Sequence, residues 1–215
     1  MTACPASSTV MSTQSVNEND SAYPAGFKTY LRADIPPTID ALGNLDLVHF
    51  KKVAVFCSVG CPAELIAQAE ELMHTYRAPE TTWVSGFHSP AERSCLTTLL
   101  RENQPVIICP ARSLTTMRVR KEYKEALNQG RLLFLSFFRS HRHRADIAMA
   151  LRRNRFVAAM AENVLFIHAA HGGKTEKFYR EIAAWGKPLF TVPSELNQNL
   201  VALGAKPLNV NVLEF

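Results

Sequence analysis

The segment Ser85–Glu92 holds the residue types best suited to chemistry, because it places a glycine, an imidazole and a carboxylate within one short stretch. His88 can donate a hydrogen bond to a phosphate or transfer a proton near pH 7, and Glu92 can act as a general acid or base. If the protein is an enzyme, these two residues are its candidate catalytic groups. Ser89 and Glu92 also match the N-cap and third position of a capping box, so a purely structural role stays open.

A second segment, His171–Thr175, places two glycines before a lysine and a threonine. Gly172 and Gly173 permit a left-handed backbone and close approach of a ligand, while Lys174 and Thr175 add donors at a helix start. Such a turn can bind a phosphate. It is not a P-loop, because the second glycine follows the first at once. An ordinary tight turn between a strand and a helix is the alternative.

The densest basic patch of the sequence is Arg152–Arg155, with Arg142 and Arg144 nearby. Guanidinium groups suit bidentate contact with phosphate, and a solvated helix face would have the same composition. The candidate phosphate ligands in this patch are Arg153, Asn154 and Arg155.

The loop Cys57–Cys61 could present Ser58 and its backbone amides to a phosphate, or it could be an ordinary turn. Its two cysteines are separated by three residues, and no second pair stands at metal-ligand spacing. His168 and His171 lack a third ligand. We therefore expect neither a metal site nor a bound cofactor.

Strands and helices alternate along the chain from residue 52. Short apolar runs without alternation indicate strands buried on both faces, at 53–57, 82–85, 105–109, 132–135, 164–167 and 189–192. Helical patterns lie between them. This order predicts an α/β fold, a doubly wound and mostly parallel sheet in a Rossmann-like three-layer sandwich. The polar loops then all leave strand carboxyl ends, where open sheets bind ligands.

Composition divides the chain into three parts. Residues 1–25 are polar and are expected to be a disordered tail, residues 26–50 an irregular lead-in that packs on the domain, and residues 51–215 the Rossmann-like domain. The five cysteines suit reduced thiols. With neither a signal peptide pattern nor an apolar run long enough to cross a membrane, we expect a cytoplasmic protein without membrane association.

Charge is distributed unevenly. The first 50 residues carry two cations against five carboxylates, a balance of −3, which leaves +8 for the rest of a chain whose total is +5. A basic body suits nucleic acid or nucleotide phosphates, and equally suits solubility.

From about Lys52 onward the sequence resembles the DNA processing protein A family, also called Smf. The form Ser-Gly-Phe-His-Ser-Pro-x-Glu resembles a subgroup of that family. The elements that carry the resemblance follow in the family's order: Ser85-Gly86 after the second strand, Arg153-Asn154-Arg155-Phe156-Val157-Ala158, Gly172-Gly173-Lys174-Thr175, Thr191-Val192-Pro193, and Asn199-Leu200-Val201-Ala202-Leu203-Gly204-Ala205.

The resemblance implies a non-enzymatic protein of DNA uptake and recombination. Such a protein binds single-stranded DNA in a basic pocket at strand carboxyl ends, forms a homodimer and loads a recombinase onto the DNA. The positions carried over to that pocket are Ser58, Ser85, Gly86, Arg153, Arg155 and Lys174.

Two departures from the family pattern support a second hypothesis. The family's Gly-Ser-Arg appears here as Cys57-Ser58-Val59, and its Ala-Arg-Gly-Ile-Asp as His88-Ser89-Pro90-Ala91-Glu92, so two arginines are lost. We also expect no C-terminal winged-helix domain after Phe215. A pocket that has lost arginines and gained His88 and Glu92 would suit a small nucleotide, as a sensor or a nucleotide hydrolase.

Overall fold

The computed structural model describes residues 12–76, 80–115, 117–138 and 146–208, and within them the chain forms one nine-stranded sheet with helices on both faces. The strands are β1 Gln14–Asn17, β2 Thr38–Gly43, β3 Lys51–Cys57, β4 Thr81–Ser85, β5 Val106–Ile108, β6 Leu132–Ser136, β7 Asn163–His168, β8 Leu189–Thr191 and β9 Lys206–Pro207. The helices are α1 Gly26–Tyr30, α2 Ala63–Thr75, α3 Pro90–Arg101, α4 Lys121–Asn128, α5 Ile147–Met160, α6 Lys174–Ala183 and α7 Gln198–Ala202.

The strand order is β1-β2-β6-β5-β4-β3-β7-β8-β9. Strands β3 to β9 are parallel, because each is joined to the next by a crossover, while β2 pairs antiparallel with β6 and β1 antiparallel with β2. This confirms the predicted α/β fold with a mostly parallel, doubly wound sheet. After β3, the chain adds β4, β5 and β6 on one side of that strand, and it then adds β7 and β8 on the other side. The topological switch point therefore lies between β3 and β7.

The predicted core strands form as the sequence indicates, since their apolar runs are buried on both faces. Two separate cores result: α1, α5, α6 and α7 cover one face of the sheet, and α2, α3 and α4 cover the other. Trp83 and Tyr76 pack in the second core, whereas Phe56, Phe166 and Phe178 pack in the first.

The first fifty residues differ from expectation. Strand β1 lies within the segment predicted to be disordered, and the predicted irregular lead-in contains α1 and β2. The reason is tertiary: β2 pairs with β6, β1 extends the sheet from β2, and Phe27 is fully buried against Phe156 with ring centroids 4.4 Å apart. These contacts offset the ordering entropy that local composition alone could not offset. The predicted disorder of residues 1–11 lies outside the described residues.

No helix of the described residues is both long and apolar enough to cross a membrane.

Candidate phosphate-binding groove

A groove of about 390 Å³ opens at the carboxyl edge of the sheet beside the switch point. Its walls come from the end of β3, the turn between β4 and α3, helix α5, and the first turns of α6. We call it the switch-point groove. The predicted site residues that line it are His88, Ser89, Glu92, Arg153, Asn154, Lys174 and Thr175.

Arg153 forms the buried base of this groove, with only 5% of its surface exposed. Its Nη1 donates to the backbone carbonyl of Cys109 at 2.9 Å, and its Nε donates to the side-chain oxygen of Asn154 at 2.7 Å. A guanidinium carries five N–H donors, so these bonds leave others for a bound anion. Burial lowers the pKa of Arg153, and the nearby Glu92 carboxylate opposes that shift. An arginine remains charged despite such a shift, so the groove has a fixed positive charge at its base.

Gly86 makes room for that guanidinium. A Cβ atom at Gly86 would lie 1.3 Å from Nη1 of Arg153, so no other residue type fits there without moving the arginine. Gly86 follows β4, at the position where the family pattern has a glycine. It shapes the groove by leaving space for the Arg153 side chain.

The turn between β4 and α3 is closed by the Glu92 carboxylate. One carboxylate oxygen accepts from the backbone N–H of Cys57 at 3.0 Å, and the other accepts from those of His88 and Ser89 at 2.7 and 3.3 Å. The Ser89 hydroxyl accepts from the N–H of Glu92, which completes the predicted capping box. Glu92 thus ties α3 to the end of β3, and its oxygens are occupied by backbone donors.

Ser85 and Ser58 have structural partners in the same region. The buried Ser85 hydroxyl donates to the carbonyl of Val55 at 2.7 Å and accepts from the N–H of Phe87. The Ser58 hydroxyl accepts from the N–H of Ala170 at 3.1 Å, which joins the loops after β3 and β7. Neither serine lines the switch-point groove, so the structure places both as supports of the turns around it.

The turn between β7 and α6 is built differently. Gly172 adopts φ +69°, and its N–H donates to the side chain of Glu176, whose two oxygens also accept from Arg180 at 2.9 Å and Asn199 at 2.8 Å. Hydrogen bonds from Asn199 and Arg180 lower the pKa of Glu176 to about 2. Gly173 is the N-cap of α6 and provides no side-chain acceptor. The first backbone N–H groups of α6 therefore face the edge of the sheet without a cap.

Three side chains of α6 add donors beside those amides. Lys174 and Lys177 are exposed, Thr175 is half-buried, and all three line the switch-point groove. His88 is also exposed on the opposite wall. Lys177 was not among the predicted site residues, although its spacing of three from Lys174 places both on one face of a helix.

Arg155 points elsewhere, in contrast to its predicted place in the pocket. It forms a bidentate ion pair with Glu181, with Nη2 to Oε2 at 3.0 Å, and it lines a second surface groove with Tyr30 and Trp185. Glu181 lines both grooves, so Arg155 reaches the switch-point groove only through this carboxylate. The hydrogen bond to Glu181 raises the pKa of Arg155. The difference follows from helix geometry, because Arg153 and Arg155 lie about 200° apart around the axis of α5. The other predicted members of the patch, Arg142 and Arg144, lie outside the described residues.

Nonpolar side chains form the rest of the groove, and sequence patterns did not indicate them. Phe56, Leu151 and Phe178 line its inner wall. Val59 and Ile147 line its mouth with 73% and 70% of their surfaces exposed. The groove thus combines cations with a surface on which a flat nonpolar group can pack.

The described cysteines are free thiols. Cys57 and Cys61 share a hydrogen bond that raises the pKa of Cys57 and lowers that of Cys61. Among the described residues, no three His, Cys, Asp or Glu side chains are grouped so that they could hold a metal ion.

The parallel sheet, with its groove at the switch point on the carboxyl edge, defines a Rossmann-like protein. The chain belongs to the DNA recombination-mediator protein A family, whose model matches residues 14–210. No curated protein matches the chain at a significant level.

Two solved structures have the same fold. DNA processing protein A from Streptococcus pneumoniae superimposes with a TM-score of 0.75 and 21% identity, over 93% of this chain and 71% of that one. DNA processing protein A from Helicobacter pylori gives a TM-score of 0.74 and 19% identity, over 94% of both chains, and its structure describes the single-stranded DNA binding mode of that protein.

Proposed function

We propose that this protein binds single-stranded DNA as a recombination mediator, with DNA phosphates at the uncapped start of α6 and over Arg153. The observation that carries the proposal is the open helix terminus: Gly173 leaves the first amides of α6 free, and Lys174 and Lys177 stand beside them. Backbone N–H groups and the helix dipole favour an anion at such a position.

The nonpolar mouth of the groove favours a nucleic acid over a free inorganic anion. Val59 and Ile147 offer a surface on which a base can pack while its phosphate lies at α6. Membership of the recombination-mediator family and the single-stranded DNA binding of the Helicobacter pylori protein support the same ligand.

Nucleotide hydrolysis is not favoured. The hydrolase hypothesis needs Glu92 as a general acid or base, and both Glu92 oxygens accept hydrogen bonds from backbone amides. A base that holds two loops together is poorly placed to take a proton from water.

We further propose a homodimer in the cytoplasm, a role in DNA uptake, and a recombinase as the protein partner. The family description as a recombination mediator supports the recombinase partner, while the homodimer and the role in DNA uptake rest on the family resemblance of the sequence and the location on its lack of a signal peptide pattern. The positively charged body of the chain agrees with a nucleic-acid ligand.

Fluorescence anisotropy with labelled (dT)15 tests the proposal. The pair Lys174→Ala and Lys177→Ala should weaken binding by roughly tenfold and reduce the slope of log K against log salt by about 1.4, since each phosphate contact on a single strand contributes about 0.7. ATP, NAD and nucleoside monophosphates should not displace the oligonucleotide.

The matched control is the pair Lys28→Ala and Lys206→Ala, which removes the same charge from two exposed lysines outside the groove. Equal losses in the two double variants would contradict the site. Displacement by a mononucleotide would contradict the polymer as ligand.

A further inference from the structure

The loop that follows β3 holds two thiols that the proposed DNA site does not use. Cys57 is the last residue of β3 and is buried, whereas Cys61 is half-buried and directly precedes Pro62, the N-cap of α2. Cys57 belongs to the core that covers the α2 and α3 face of the sheet, and Cys61 packs against the same core. Cys57 also lines the switch-point groove, so this pair of thiols lies in the wall of the groove.

The two thiols are in direct contact through a hydrogen bond. The Cys57 thiol donates to the sulfur of Cys61, and Sγ of Cys61 donates to the carbonyl of Pro62 at 3.6 Å. The bond from Cys57 lowers the pKa of Cys61 against the opposing effect of burial, while the same bond, burial and the Glu92 carboxylate raise the pKa of Cys57. The more exposed thiol is therefore the one that ionises more readily, and the thiolate is the form of cysteine that reacts with oxidants.

The loop between the two cysteines is fixed at its first end and free in its middle. The N–H of Cys57 donates to Glu92 at 3.0 Å, and Ser58 is hydrogen-bonded to the end of β7 and to the loop that follows β7. Val59 and Gly60 are exposed, and a Cβ atom at Gly60 would meet open space. A glycine without neighbours can take up the backbone adjustment that a bond between the two sulfurs requires.

We propose that Cys57 and Cys61 form a redox-active dithiol, which a hydroperoxide oxidises to an intramolecular disulfide in the wall of the groove. The Cys61 thiolate attacks a peroxide oxygen, so that the O–O bond breaks, an S–O bond forms, and the leaving hydroxide takes up a proton as water. The Cys57 sulfur then attacks the sulfenic sulfur of Cys61. The S–S bond forms, the S–O bond breaks, and the hydroxide leaves as water with the Cys57 proton. Two thiols are oxidised and one hydroperoxide is reduced, and the proposal does not depend on DNA binding.

The other described cysteines lack this arrangement. Cys95 and Cys109 are fully buried, and burial raises the pKa of both thiols, to about 12 for Cys109. Cys95 lies near enough to Cys61 and Glu92 for their charges to raise its pKa further. Cys95 is therefore the alternative partner of Cys61, and the experiment has to separate the two pairings.

Peptide mass spectrometry after treatment with hydrogen peroxide tests the proposal. The folded protein is treated, then unfolded, alkylated with iodoacetamide and digested with trypsin, which leaves both cysteines in the single peptide 53–77. We expect this peptide to lose both alkylation sites together, to be two hydrogens lighter than its reduced form, and to regain both sites after dithiothreitol. Its alkylation should be lost about tenfold faster than that of Cys95.

Three variants assign the steps. In Cys61→Ser the attacking thiolate is absent, so Cys57 should remain open to alkylation. In Cys57→Ala the reaction should stop at the sulfenic acid of Cys61, which dimedone captures. Cys95→Ala is the matched control, because it removes a buried cysteine of the same core and should form the disulfide at the unaltered rate. Since Cys61 is only half-buried, Cys61→Ser keeps the test available if Cys57→Ala does not fold.

Two outcomes overturn the proposal. If peptide 53–77 of the unaltered protein keeps both alkyl groups after peroxide treatment, the two thiols do not react as a pair. If the disulfide instead joins Cys61 to Cys95 or to a second molecule, the contact between Cys57 and Cys61 does not direct the oxidation. Either result leaves the affinity for (dT)15, and with it the proposed function, to be judged separately.

Discussion

The turns that precede α3 and α6 share one hydrogen bond from a backbone N–H to a glutamate, but they differ in the N-cap residue that follows it. In each, a glutamate accepts the backbone N–H of the residue four positions earlier: Glu92 that of His88, and Glu176 that of Gly172. The N-cap before α3 is Ser89, whose hydroxyl completes a capping box, while the N-cap before α6 is Gly173, which has no side chain. One turn is closed by its own residues, and the other leaves the first amides of α6 without a side-chain acceptor.

The neighbouring charges strengthen this difference. Glu176 is neutralised by Arg180, so its carboxylate repels an anion at α6 only weakly. Glu92 is held by three amides and has the buried Arg153 nearby. A glutamate in the first turn of a helix therefore does not by itself exclude an anion site, because its partners decide what remains for the ligand.

Loss of the Glu92 carboxylate should open the closed turn before α3. Glu92→Gln replaces a carboxylate that accepts three N–H bonds with an amide whose nitrogen cannot accept, so a buried donor loses its partner. The free energy of unfolding should fall by about 2 kcal/mol, measured by urea denaturation. The affinity of the folded protein for (dT)15 should change little.

Glu64→Gln is the control, since Glu64 occupies the first turn of α2 and is exposed. Intact stability of the Glu92→Gln protein, together with a large loss of DNA affinity, would reverse the roles assigned to the two turns.

A side chain at position 86 should displace Arg153 from the base of the groove. Gly86→Ala places a Cβ where Nη1 of Arg153 lies, so the guanidinium must leave the carbonyl of Cys109. We expect affinity for single-stranded DNA to fall about tenfold, equivalent to about 1.4 kcal/mol. Gly60→Ala is the matched control, because its Cβ would meet open space. Unchanged DNA affinity in Gly86→Ala would show that Arg153 does not contribute to the site.

Much of this architecture could be predicted from the sequence. Apolar runs without alternation predicted six parallel strands, and Ser89, Pro90 and Glu92 predicted the capping box, because both patterns express local physics. The family pattern also indicated which turns meet at the carboxyl edge.

The remainder depends on tertiary contacts that no local pattern contains. Strand β2 exists because it pairs with β6, and the fit of Gly86 around Arg153 joins residues far apart in the chain. Arg155 was predicted in the pocket. The structure pairs it with Glu181 of α6, and a contact between two helices could not be read from composition. Lys177 could have been found from its spacing to Lys174, whereas Val59 and Ile147 could not.

The charge of Glu176 beside the open turn should contribute a smaller effect, which depends on pH. The pKa of Glu176 is lowered from 4.5 to about 2, so its ionised form stabilises the folded state above pH 4.5, and that stabilisation is lost as pH falls toward 2. Glu176→Gln should therefore flatten the decline in stability between pH 4.5 and 2, measured by thermal unfolding at a series of pH values. Glu195→Gln, an exposed control, should keep the decline of the unaltered protein. Identical acid profiles for both variants would contradict the assigned partners of Glu176.

Hydrogen–deuterium exchange with and without (dT)15 identifies the backbone amides that a bound phosphate protects. The backbone N–H groups of Lys174 and Thr175, which have no cap, should exchange quickly in the free protein and become protected when DNA binds. Those of Cys57, His88 and Glu92 already have partners and should change little. Protection confined to residues 85–92, with none at the start of α6, would contradict the claim that the open turn is the phosphate site.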